Sequence, residues 1–274
     1  MKMSKFQILC VTMHQNDFSK IKEMNVHSDI VYANQCDRTC YEEYMFEGHT
    51  ARMISTQTRG VGINRNLALT YADAEICLFA DDDVRYNDDA EEKILAEFEA
   101  HPDADVIVFH FASNDPHRKP PKYNETKKWP KFATTPWGSV RIAFKLDSVR
   151  KSNAWFTTLF GGGCIFPSGE DSMWIKDLRK AGLTFYVSKE TIGQVSYETS
   201  TWFTGYDEKY FYGVGACFTA INPKTTLVKY LYMAFRTKGK GKLNLSQKFY
   251  WMKHGKAGYN EMLSFEDYKK KYIK

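Results

Sequence analysis

Three carboxylates stand side by side at Asp81, Asp82 and Asp83, directly after the apolar run Ile76-Cys77-Leu78-Phe79-Ala80. Adjacent acids repel one another, so a closed site must compensate them. A divalent cation such as Mg²⁺ or Mn²⁺ is the simplest compensation. These hard ions take carboxylate oxygens and commonly bridge them to substrate phosphates. The alternative is a solvated acidic turn leading into the helix expected from Asp88. A second acidic pair, Glu170-Asp171, follows Pro167-Ser168-Gly169 where another helix is expected to start. Acids in a first turn complement the helix dipole.

These groups need elements to hold them. The run Ile76–Ala80 is short, apolar and bounded by polar residues, which predicts a buried parallel strand. In an open α/β sheet, ligands collect at the carboxyl ends of such strands. Further strands are expected at Phe6–Val11, Asp29–Ala33, Met53–Thr56, Asp105–Phe111 and Thr184–Ser188, with helical spacing between several of them. That alternation argues for βαβ units and a mostly parallel sheet. The glycines of Phe160-Gly161-Gly162-Gly163 predict a strand where backbone closely approaches a ligand or another segment. Gly182 is expected to stop the helix that starts near Ser168. The proline-bearing stretch from Ala112 to Gly138 is long for a loop, and loops of that length are usually functional.

The chain has 274 residues, enough for one large domain or a domain with an appendage. Its 43% hydrophobic and 26% charged residues fit a globular protein rather than a disordered one. A net charge of +5 with both signs interspersed argues against a nucleic-acid binder. Six scattered cysteines without a CxxC pair predict buried reduced thiols and a cytoplasmic setting. No apolar leader follows Met1, and no run is long enough to span a bilayer.

Taken together, residues 6–205 resemble the family 2 glycosyltransferases of GT-A fold. The resemblance rests on features in order. A strand leads to a Thr-bearing loop at Ile8–Gln15, and a second strand ends in Asn34, Gln35 and Asp37. The helix start Gly60-Val61-Gly62-Ile63-Asn64-Arg65-Asn66 follows, then Asp81-Asp82-Asp83, the glycine-rich segment and Glu170-Asp171. Glu198-Thr199-Ser200-Thr201-Trp202-Phe203 is similar to enzymes that assemble bacterial surface polysaccharides. The implied architecture is a Rossmann-like, mostly parallel sheet flanked by helices over 1–205, with a helical, basic and aromatic extension over 206–274.

The resemblance implies a metal-dependent, inverting transfer from a nucleotide sugar, with UDP the family's commonest carrier, to a saccharide. It assigns Asp83 and Asp81 to the metal, and Asp81 or Asp82 to ribose or metal-bound water. Thr12, Asn34 and Gln35 fall where the family binds nucleobase and ribose, and Arg65 where it meets the donor phosphates. Asp171, with Glu170 beside it, falls on the family's catalytic base. One departure is the absence of a histidine after the late strand, in Val195-Ser196-Tyr197-Glu198, which leaves Glu198 as a candidate third ligand.

Acceptor contacts are expected from Asn114–Trp137, Trp155 and the Trp202 region, with Trp129, Trp137 and Trp202 as stacking platforms or core aromatics. Tyr230, Leu231, Tyr232, Met233 and Phe235 beside Arg236, Lys238, Lys240 and Lys242 suit either an anionic membrane surface on the cytoplasmic side or a helical cap. A lipid-linked acceptor would fit the first. Two other readings compete. One is a catalytically inactive carbohydrate-binding protein of the same fold. The other is a sugar nucleotidyltransferase, which would want a glycine-rich loop that Thr12-Met13-His14-Gln15 lacks.

Overall fold

The computed structural model describes residues 4–113, 123–131, 133, 137–195 and 205–273. The chain forms two compact units. The first comprises Met1–Arg59, Ile63–Phe156 and Trp174–Thr199; the second comprises Gly60–Gly62, Thr157–Met173 and Ser200–Lys274.

The first unit is built on a ten-stranded sheet. In chain order it contains β1 (Ser4–Met13), α1 (Lys20–Glu23), β2 (Asp29–Gln35), β3 (Cys40–Phe46) and β4 (His49–Thr56). Then come α2 (Val61–Tyr71, in this unit from Ile63), β5 (Ala74–Asp81), β6 (Val84–Tyr86), α3 (Ala90–Ala100), β7 (Val106–Ser113) and β8 (Lys127–Lys128). It closes with β9 (Ile142–Lys145), α4 (Leu146–Ser152), α5 (Glu170–Lys180, in this unit from Trp174) and β10 (Phe185–Val195). The strand order is β3-β4-β2-β1-β5-β9-β7-β10-β6, with β8 paired to β10. β4, β2, β1 and β5 run parallel. β9 lies antiparallel between β5 and β7.

The period of two along each strand builds two cores, one on each face of the sheet. Ile76, Leu78 and Ala80 pack with Ile8, Cys10 and Ile30 on one face. Cys77 and Phe79 pack on the other with Ala68, Leu69, Phe144, Phe156 and Trp174. Phe79 meets Trp174 edge-on at 5.3 Å. Both faces being apolar explains the unbroken hydrophobic run of β5.

Three elements differ from expectation. β3 is exposed or half-buried along its whole length, and its apolar residues are interrupted by Glu42-Glu43 without a period-two alternation. It forms by pairing with β4 from Cys40↔Ser55 to Phe46↔His49. The four-residue β9 is too short to read by periodicity alone. The glycine-rich segment is a loop rather than a strand, closed by a single bridge between Phe160 and Phe166. Gly161 and Gly163 have φ of 106° and 75°, and such left-handed backbone turns the chain out of a strand. The stop at Gly182 stands: its N–H bonds Arg179 O at 3.1 Å while Leu183 N–H bonds Leu178 O at 3.2 Å.

The second unit holds α6 (Glu208–Ile221), α7 (Thr226–Arg236), α8 (Leu245–Asn260) and α9 (Phe265–Tyr272). Its core gathers Phe160, Phe166, Phe211, Tyr212, Tyr230, Trp251 and Met252. α6 and α8 meet backbone to backbone: a Cβ at Gly215 would strike the Met252 carbonyl, and one at Gly255 the Tyr212 carbonyl. Asn244 and Gln247 cap the start of α8 reciprocally.

Candidate active site

A polar row crosses four parallel strands at their carboxyl ends. The register sets Ser55 of β4 opposite Asn34 of β2, and Asn34 opposite Thr12 of β1. On the other side of β1, Val11 faces Asp81, which brings Thr12 alongside Asp82. Thr12 shares strand parity with Ile8 and Cys10, and Asp82 opens the turn that follows β5. The Thr12 hydroxyl donates to Asp82 Oδ2. Asn34 is fully buried, and its amide donates to Ser55 Oγ and Gln15 O, both at 2.9 Å. Its Oδ1 accepts from Gln15 N–H at 3.1 Å. Asn34 therefore fixes the loop after β1. Gln35 is also buried, and its carbonyl accepts from His14 N–H at 2.9 Å. Ser55 went unnoticed in the sequence because its place comes from register, not from a motif.

α2 supplies the opposite face through three consecutive side chains. Asn64 is buried and donates to Ala33 O at 2.6 Å and Thr12 O at 3.3 Å, tying β2 to β1 where the polar row lies. Arg65 is buried with its Nη2 3.4 Å from Asp81 Oδ1 and its guanidinium 5.4 Å from the Phe156 ring centre. Asn66 exchanges two 2.9 Å hydrogen bonds with the Phe156 backbone. Asp81 has the parity of Cys77 and Phe79, whose face α2 covers, which is why Arg65 meets Asp81 and not Asp82. Adjacent acids are thereby sorted. Asp81 faces a cation, and Asp82 faces a hydroxyl.

Asp83 is half-buried. Burial and the neighbouring Asp82 charge hold its carboxyl above the usual carboxylate range, while Lys20 pulls the other way. Burial, then the charges of Asp82 and Asp81, push the Cys10 thiol well up. Cys10 is thus an uncharged core residue beneath the acids. Burial leads both shifts, and the neighbouring carboxylates add to it. The donor set is hard oxygen, which suits Mg²⁺ or Mn²⁺. Among the described residues, no three His, Cys, Asp or Glu side chains group closely enough to hold a metal by themselves. Glu198 and Trp202 lie outside the described residues, as does the Asn114 end of the expected acceptor segment.

In the second unit, Glu170 is buried and accepts from Gly169 N–H at 3.1 Å. A Cβ at Gly161 would lie 2.9 Å from Glu170 Cδ, so this glycine makes room for the carboxylate. Burial and the Glu170 charge push the Cys217 thiol up to about 12. Asp171 is partly exposed in the first turn of α5.

The expected aromatic platforms divide. Trp129 and Trp137 meet edge-on at 4.7 Å and pack with the core, whereas Trp155 is exposed. His110 is buried and stacks on Tyr123 at 5.4 Å; burial, then Arg141, lowers its pKa.

Comparison with known proteins gives part of this geometry a family likeness. Residues 37–160 match the family model described as glycosyl transferase family 2. That segment is similar to family 2 glycosyltransferases. Its match holds Asn64, Arg65 and the three aspartates; Thr12, Asn34, Gln35, Glu170 and Asp171 fall outside it. No curated protein matches in sequence.

Among solved structures, this chain is similar to S. aureus TarS 1-349 in complex with UDP-GlcNAc. The TM-score is 0.56 at 15% identity, over 98% of this chain and 76% of that one. TarS 1-349 alone gives 0.56 at 11% identity, over 95% and 93%. TarS 1-349 in complex with UDP gives 0.55 at 14% identity, over 98% and 75%. The likeness bears out the expected GT-A arrangement of a mostly parallel sheet flanked by helices, with helices at the C-terminal end.

Proposed function

We propose that this protein is a glycosyltransferase that moves a sugar from a UDP-sugar to a saccharide acceptor with inversion, in the building of bacterial cell-surface polysaccharide. The observation that carries the donor half is the sorted acidic row: Asp82 held by Thr12, Asp81 by Arg65, and Asp83 left with a raised pKa. The TarS complexes with UDP and UDP-GlcNAc support a uridine nucleotide as the carrier.

In this reading Asp83 and Asp81 would hold a divalent cation. When bound, that cation would supply Lewis-acid stabilisation of the diphosphate leaving group. Asp82, oriented by Thr12, would accept a hydrogen bond from a ribose hydroxyl or from water beside the cation. Thr12 and Gln35 line the nucleoside side, while Asn34 acts by holding the Gln15 loop in place. Arg65 orients Asp81 and lies toward the donor phosphates. Asp171 takes the proton of the attacking acceptor hydroxyl as the new glycosidic bond forms, and Glu170 fixes the turn that presents it. Attack opposite the leaving group inverts the anomeric carbon.

The acceptor is proposed to meet exposed aromatics such as Trp155, and a lipid-linked carrier would bring the C-terminal extension to the cytoplasmic side of a membrane. No helix among the described residues is long and apolar enough to cross one. Assaying UDP release from a panel of UDP-sugars, with and without Mn²⁺ and with a mixed saccharide pool, tests this reading. Metal-dependent release that rises with acceptor supports it. No turnover of any UDP-sugar would reject it.

A further inference from the structure

α7 has three faces. Thr226, Tyr230 and Ala234 are buried in the helical core of the second unit. Leu227, Val228, Leu231, Tyr232 and Phe235 are exposed, from 52% at Leu231 to 72% at Val228. At 3.6 residues per turn, these five cover an arc of about 140° on the outer side. Lys229 and Arg236 border that arc. A helix that merely caps a soluble core carries polar residues outside. Single exposed apolar residues need no explanation, but a contiguous face of five marks an interaction surface.

The charge around this face identifies its partner. From Lys209 to Lys256 the chain carries Lys209, Lys224, Lys229, Arg236, Lys238, Lys240, Lys242, Lys248, Lys253 and Lys256 and not one Asp or Glu. Lys248 is buried on the Lys240 and Thr237 carbonyls, but Lys224, Arg236, Lys238, Lys240 and Lys242 are exposed. Two copies pairing through α7 would oppose cation to cation, which disfavours self-association. An anionic surface that is apolar just below its charges answers both features, and that is a bilayer of acidic phospholipid.

We propose that the Leu227-Val228-Leu231-Tyr232-Phe235 face of α7 inserts at the headgroup level of an anionic membrane, with Lys224, Arg236, Lys238, Lys240 and Lys242 on its phosphates. The face differs from the one expected from sequence, since Tyr230 points inward and Met233 is half-buried, while Leu227 and Val228 take their places. The inference stands on the second unit alone and is independent of the donor reading.

The test is cosedimentation of the full chain with vesicles of phosphatidylcholine, alone or mixed with phosphatidylglycerol. The wild type should pellet with the mixed vesicles and not with the neutral ones. Leu231→Ser with Phe235→Ser should lower binding at least about tenfold, as should Lys238→Gln, Lys240→Gln and Lys242→Gln together. These side chains are at the surface, and an unchanged thermal midpoint verifies folding of each variant. Equal binding to both vesicle types, binding to neither, or a serine variant that binds like the wild type overturns the proposal. So does a wild-type dimer by light scattering that the serine variant converts to monomer.

Discussion

Thr12 donates its hydroxyl proton to the Asp82 carboxylate, joining the carboxyl ends of two parallel strands at the acidic turn. The contact follows from the register of β1 on β5 and the turn that begins at Asp82, so it forms without a ligand. A hydrogen bond to a charged group is worth about 1.5–3 kcal/mol. Thr12→Val keeps the shape and removes the donor. It should weaken UDP binding at least about tenfold, while Thr12→Ser should restore most of it; calorimetric titration of the three proteins checks both.

Arg65 touches Asp81 with one edge and Phe156 with its face. A lysine keeps the charge but not the planar fork or the stacking. Arg65→Lys should therefore cost about 1–2 kcal/mol of stability and lower donor turnover by more than tenfold. Chemical denaturation and UDP-release kinetics on the same preparation separate the two effects. Wild-type turnover in this variant would remove Arg65 from the site.

Asp83 sets function against stability. Its pKa is raised in the folded chain by burial and by Asp82, so folding favours the protonated acid. That contribution is present in full below the ordinary carboxylate value of 3.8 and is lost as pH rises through the raised value. At neutral pH the ionised group is a burden on the metal-free protein. Asp83→Asn should raise the metal-free melting temperature on the order of 1–3 °C at pH 7, with the gain vanishing toward pH 3.5 or so. The same variant should lose metal-dependent UDP binding. A lower melting temperature at pH 7 would contradict the stated electrostatics.

Asp171→Asn should leave UDP affinity within about twofold and cut sugar transfer by ~10²–10⁴-fold, the usual effect of losing a general base. Glu170 is buried under Gly161, so Glu170→Gln is expected to show mainly as lost stability. Transfer and binding measured side by side distinguish a base from a capping residue.

The acidic run of β5 was legible because its period and its abrupt end are both local. So were the Gly182 stop and the start of α2. Ser55 and the Thr12–Asp82 contact were not, since they exist only once three strand registers are set. Nor was β3, whose apolar residues do not alternate, stay largely exposed and depend on β4 to form. Asn34 was legible as a polar strand end, but whether its amide would meet a ligand or the Gln15 loop is a tertiary matter. In α7, composition revealed an apolar, basic helix; only packing tells Tyr230 from Tyr232.

Isothermal titration of UDP into the purified chain, once with Mn²⁺ and once with EDTA, bears most directly on the acidic row as a metal and donor site. Micromolar binding with Mn²⁺ that falls away in EDTA, and that Asp83→Asn abolishes, is the predicted result. UDP binding of equal strength in EDTA, or none under either condition, would contradict it.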